Sequence, residues 1–99
     1  MSNKKKIRSA ELQDLKSIVA MIANDQLGKN REDYREPLPQ KYYEAFSNIN
    51  KDTNQELVVM EIPNGQIIGT LQLSFIQYLT YQGGVRAQIE AVHILITQP

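Results

Sequence analysis

Three features of the sequence predict an α+β fold built on an antiparallel sheet. Two stretches with apolar residues at helical spacing come early, between about residues 9 and 50. Three strand-like stretches follow, and short turns join them, which makes neighbouring strands antiparallel. The last of these turns lies in GTLQLSFIQYLTYQGGVRAQIEAVHI, Gly69 to Ile94, a run that holds a single carboxylate, Glu90.

The elements follow in order. Lys5 to Ser9 reads as a short edge strand. Lys4, Lys5, Lys6 and Arg8 make it basic, and lysines on an edge discourage pairing with other sheets; a nucleic-acid or lipid patch is the competing reading. Ser9 is placed to cap a helix running to about Leu27, with Glu11 and Asp14 early, where the helix dipole favours anions. Leu12, Leu15, Ile18, Val19 and Ile22 would form its buried stripe. Gly28 sits where a left-handed residue would end the helix. Residues 28–38, GKNREDYREPL, form a polar loop.

Pro39 fits the first turn of a second helix, whose Tyr42, Ala45, Phe46 and Ile49 recur at i, i+3, i+4 and i+7. Residues 48–55, NINKDTNQ, are turn chemistry. LVVMEI, 57–62, barely alternates, as a strand covered on both faces would. Pro63 ends it, and Asn64-Gly65 is a strong hairpin signal. The next strand runs from Gln66 to about Leu79, a turn spans Thr80 to Gly84, and the last strand runs from Val85 to about Ile96. No repeat or linker divides the 99 residues, so one domain at most is expected.

Composition narrows the function. The chain has 41% hydrophobic and 22% charged residues, as globular proteins do. Lys plus Arg and Asp plus Glu number 11 each, giving a formal net charge of zero. That argues against nucleic-acid or anionic-membrane binding. With no cysteine, disulfides, thiolate catalysis and zinc–cysteine sites are excluded, and a lone histidine, His93, cannot build a multi-histidine metal site. The start, MSNKKKIRSAELQDL, has no apolar run behind its charges, so it is not a secretory signal. No apolar run reaches the length of a membrane span. A cytoplasmic location is expected.

The element order, together with IRSAELQDL, PLPQKYYEAF, GTLQL, RAQ and IEAV, resembles the N-terminal half of the GNAT superfamily of N-acetyltransferases: strand, two helices, three antiparallel strands. The resemblance covers nearly the whole chain, as a single partial domain over 1–99. It implies acetyl transfer from acetyl-CoA to the amine of a small molecule. Glu90 stands where many relatives put the general base; a sheet carboxylate paired with Arg86 or Lys41 is the alternative. The backbone of Val92, His93 and Ile94 would pair with the pantetheine arm of acetyl-CoA. Tyr34 and Tyr42 flank the loop that shapes the acceptor pocket in relatives. Plain strand alternation puts Gln88, Glu90 and Val92 on one face and Ile89, Ala91 and His93 on the other, so Glu90 and His93 are not expected to act together.

In that family a glycine-rich loop and a helix start hold the coenzyme's pyrophosphate. No glycine follows Gly84 and no arginine follows Arg86. The expectation is a chain that binds acetyl-CoA weakly and is inactive alone, or a non-catalytic, self-associating remnant. An open last strand ending in Ile94, Leu95 and Ile96 would favour a homodimer, joined strand to strand or by a strand swap.

Overall fold

The computed structural model describes residues 5–24 and 28–95. Its sheet has four strands in sequence order, every neighbouring pair antiparallel: β1 (Lys6–Ser9), β2 (Gln55–Glu61), β3 (Ile67–Gln77) and β4 (Val85–Ile94). Two helices lie between β1 and β2: α1 (Leu15–Ala23) and α2 (Gln40–Lys51). The expected architecture is therefore present. The expected helix end near Leu27, the basic Lys4 and the strand end near Ile96 lie outside the described residues.

The entry into α1 differs from expectation. Ser9 is the last residue of β1, and its hydroxyl bonds Glu56 at 2.5 Å rather than capping a helix. The chain instead turns through a short 3-10 segment, Leu12–Asp14. There the Asp14 carboxylate accepts the Glu11 amide at 2.7 Å and two hydrogen bonds from the Arg8 guanidinium at 2.8 and 3.0 Å. Arg8 also bonds Glu61 at 2.8 Å, so one cation ties β1, β2 and the start of α1 together. Burial pushes the Asp14 carboxyl up, but these hydrogen bonds outweigh it and leave it below the usual carboxylate value. Because α1 starts later, Leu12 falls off the buried stripe and is 58% exposed, while Leu15, Ile18 and Val19 are buried.

Gly28 is also not what its sequence position implied. Its φ is not positive; it opens a 3-10 turn, Gly28–Asn30. A Cβ there would sit 1.9 Å from the carbonyl oxygen of Ile22. Close approach, not left-handed backbone, requires the glycine. Pro39 stands immediately before α2 instead of inside it, with Phe46 buried and Ala45 exposed.

The core lies between the two helices and one face of the sheet. Val59, 1% exposed, packs with Ile67 of β3 and with Leu15, Ile18 and Val19 of α1. The opposite face, which carries Val58, Leu71 and Leu73, is half-buried, and on its flank Ile7 and Ile89 are 68% and 61% exposed. So β2 is covered fully on one face only. The Asn64-Gly65 turn forms as expected: Gly65 has φ +92, and the Asn64 side chain accepts the Gln66 amide at 2.8 Å.

Candidate functional site

The strand β4 is not a plain alternating strand. Gln72 opposes Glu90 and Thr70 opposes His93, so both Ala91 and Val92 face the single residue Leu71. This is a β-bulge, and Ala91 takes a positive φ of 52° to make it. Thr70 and Gln72 are two apart on a regular stretch of β3 and share a face. Glu90 and His93 therefore share that face too. This corrects the reading from alternation. One inserted residue reverses the parity of everything after it, and the residue pattern alone does not mark where the insertion lies. Their partners Thr70 and Gln72 are two residues apart on β3, which spaces Glu90 and His93 about 7 Å apart along the sheet. Their face is the one that α1 and α2 cover, because Thr70 opposes the buried Val59.

Beyond the helices this face opens into a cleft of about 900 Å³ between α1, the Gly65–Ile67 turn and the end of β4. Its walls include Met21 of α1, Asn24 just past its end, Tyr34 of the loop, and Val92, His93 and Ile94. Among the described residues no Asp, Glu, Lys or Arg lines it. Glu90 stands beside the cleft on the same face without lining it.

Glu90 is exposed and has no cation at hand. Its carboxylate oxygens lie 3.4 Å from the Ser74 hydroxyl and 3.4 Å from the Gln88 amide. The pairing with Arg86 or Lys41 does not form: Arg86 stacks over the Tyr78 ring at 5.1 Å and Lys41 lies over Tyr42 at 5.9 Å. Among the described residues no ion pair reaches Glu90.

The β4 backbone has two kinds of group. The Leu95 amide donates to Ile68 of β3 at 2.8 Å, and the His93 carbonyl also turns toward β3, at Gly69. By alternation the backbone groups of Val92 and Ile94 point away from the sheet. Their side chains are 54% and 67% exposed. These two residues can pair with an extended ligand carrying amides, as a pantetheine arm does. Gly83-Gly84 offers no matching phosphate cradle, because it leads straight into β4 and not into a helix.

The two tyrosines part company. Tyr34 lines the cleft and is 42% exposed. Tyr42 does not reach the cleft. Its hydroxyl donates to Glu32 at 2.7 Å and accepts the Asp33 amide at 2.9 Å, so both capacities are spent on holding the loop that carries Tyr34. Tyr42's hydrogen bond, more than the Arg31 contact, draws the Glu32 carboxyl below its usual value, while burial pushes the Tyr42 phenol up. The α1 contribution to the cleft was not foreseen. Its signal was present: Ser17, Met21 and Asn24 recur at helical spacing beside the buried stripe.

The fold matches solved structures. A transcriptional regulator from Bacillus halodurans is 48% identical, with a TM-score of 0.85, and the match covers 93% of this chain and 61% of that one. Glucosamine-6-phosphate N-acetyltransferase from Arabidopsis thaliana is 18% identical, with a TM-score of 0.70, over 93% of this chain and 60% of that one. Spermidine N-acetyltransferase from Vibrio cholerae, in complex with CoA and spermine, is 22% identical, with a TM-score of 0.60, over 86% and 49%. The chain thus spans about three-fifths of the first two. No protein-family model matches it, and no curated protein is significantly similar. The architecture is that of the GNAT acetyltransferases. Among the described residues no helix is long and apolar enough to cross a membrane.

Proposed function

We propose, from the GNAT acetyltransferase fold it carries, that this chain forms the acceptor-facing part of an N-acetyltransferase acting on the amine of a small molecule. The β4 bulge carries the reading. It supports the assignment because it brings an unneutralised carboxylate, a histidine and two outward backbone stations to one end of one strand.

Acetyl-CoA supplies an acyl carbon activated by its thioester. The rest falls to the chain. The amine must attack as the free base, so Glu90 takes its proton, directly or through one water. Val92 and Ile94 hold the pantetheine arm by their outward backbone groups, with His93 on the face of the acceptor. Tyr34 faces the acceptor, and Tyr42 fixes the loop that presents it. The lining that the described residues give the cleft is uncharged, which suits an acceptor of low charge; a polycation would need carboxylates to replace its water.

The described residues offer the arm two stations and no cradle for the pyrophosphate. Each hydrogen bond of the arm is worth about 0.5–1.5 kcal/mol net, and ordering the arm opposes it by a similar amount. The expected behaviour of residues 1–99 alone is weak binding and no turnover. A non-catalytic, self-associating role is the second reading, favoured by the exposed Val85 and Ile89 on β4.

Amide spectra recorded during an acetyl-CoA titration test the site. The Val92 and Ile94 amides are expected to shift while those of β1 stay put. Unmoved β4 amides at saturating solubility would remove the coenzyme assignment. A melting curve raised by about 2.7 kcal/mol at only a hundredfold excess over a micromolar dissociation constant would refute weak binding.

A further inference from the structure

We propose that Gln72, Ser74 and Gln88 form a subsite for the hydroxyl groups of the acceptor, which is then a hydroxylated amine of the amino-sugar kind. The inference rests on the acetyltransferase reading, which puts the acceptor's amine at Glu90.

The face of the sheet that is apolar around Val59 turns polar a few residues on. Two successive rows cross β2, β3 and β4 there: Leu57, Gln72 and Glu90, then Gln55, Ser74 and Gln88. Leu57 is the one apolar residue in these rows, and Glu90 is the one charge. Strands favour branched and aromatic residues, and an amide on the core side of a sheet needs a polar partner. Where such a pattern breaks in one place, a functional constraint is the expected cause.

Internal hydrogen bonds fix how these side chains point. Gln72 Nε2 donates to Gln55 Oε1 at 2.6 Å, and Gln55 Nε2 donates to Asp52, just past the end of α2, at 2.8 Å. This relay ties both amides to the end of the helix. The Ser74 hydroxyl and Gln88 Nε2 each lie 3.4 Å from a different oxygen of Glu90. Among the described residues neither the Gln72 nor the Gln88 carbonyl oxygen accepts a hydrogen bond. Each of these two amides also keeps a second N–H.

That inventory selects the ligand. A hydroxyl donates and accepts, so it matches an amide that offers a carbonyl oxygen and an N–H. Gln72 and Gln88 are diagonal neighbours across β3 and β4, about 7–8 Å apart at the backbone, and Glu90 adjoins both. Their side chains can therefore converge on one six-membered ring whose amine meets Glu90. A ring without hydroxyls would cover the same amides and leave them unpaired. A polyamine would bring several cations to a single carboxylate. A peptide pairs by its backbone along a strand edge, whereas these rows stand on a face.

Side-chain amide spectra of the 99-residue chain, with coenzyme A absent and then present, test the subsite. Glucosamine is expected to move the Gln72 and Gln88 side-chain signals. Cyclohexylamine, which has a six-membered ring and an amine but no hydroxyl, is expected to bind about tenfold more weakly. Gln88 is exposed, so Gln88→Val should keep the fold, as a melting curve will show. Q88V and Gln72→Val should each weaken glucosamine about two- to tenfold and leave cyclohexylamine unchanged. The proposal is overturned if glucosamine moves neither signal, if cyclohexylamine or putrescine binds as tightly, or if both variants bind glucosamine like the parent. Failure of the underlying reading looks different. Glucosamine binding with Val92 and Ile94 unmoved by acetyl-CoA keeps the hydroxyl subsite and removes acetyl transfer; the reverse pattern keeps acetyl transfer and removes the subsite.

Discussion

Ala91 is the residue on which the candidate site turns, and its backbone makes a measurable prediction. It holds φ +52 on an exposed stretch of β4, so its side chain contributes no packing. For an L-residue with a Cβ the left-handed region costs about 1–2 kcal/mol. Glycine removes that cost but loses about 0.5–1 kcal/mol in chain entropy. Ala91→Gly is thus expected to stabilise by about 0.5–1 kcal/mol, or to raise Tm by about 2–8 °C in a domain of this size. Valine is the opposite case. A β-branched side chain at this φ is a genuine outlier, so Ala91→Val should cost about 2 kcal/mol or more and lower Tm by about 8 °C or more. Ala87 lies on the same strand without positive φ. There Ala87→Val should be neutral or mildly stabilising, since strands favour branched residues by up to about 1 kcal/mol. Thermal melting by circular dichroism of the three variants decides the matter. If A91V melts with A87V, Ala91 is extended, the bulge is absent, and Glu90 and His93 return to opposite faces.

Two further predictions concern the framework. Val59→Ala should cost about 2 kcal/mol, because its two methyl groups leave a void at a site only 1% exposed; Leu12→Ala, at 58% exposure, should stay within about 0.5 kcal/mol in a denaturant titration. The Asp14 carboxyl is depressed in the fold, so its contribution is present above the unfolded value of about 3.9 and is lost as pH falls through the lower folded value. Asp14→Asn should therefore destabilise the fold at neutral pH by about 1.5–3 kcal/mol, the contribution of a charged hydrogen bond, and should flatten the fall in Tm below pH 4; an unchanged acid limb would show that Arg8 and Asp14 do not interact.

Much of the molecule was legible because it depends on short-range rules. Apolar residues at 15, 18 and 19 could only form a buried helical stripe, and Asn64-Gly65 could only make a tight turn, since φ is positive at Gly65. Hairpins then forced the antiparallel order and left β4 at an edge. The helix start was misread for a definable reason: Ser9 looks like a cap in isolation, but pairing with Val58 claims it for β1, and the chain enters α1 through a 3-10 turn that the Asp14 carboxylate closes on the Glu11 amide. Tyr42 looked like a pocket residue until the fold brought Glu32 and Asp33 to its hydroxyl.

The sequence by itself determined which elements form and in what order, because helical spacing, strand alternation and turn residues act over a few positions. Tertiary structure alone decided which way the last strand faces. Alternation propagates from any starting point, so a single extra residue at Ala91–Val92, visible only once β3 supplies the opposing register, moves His93 from the far face to the side of Glu90 and the cleft.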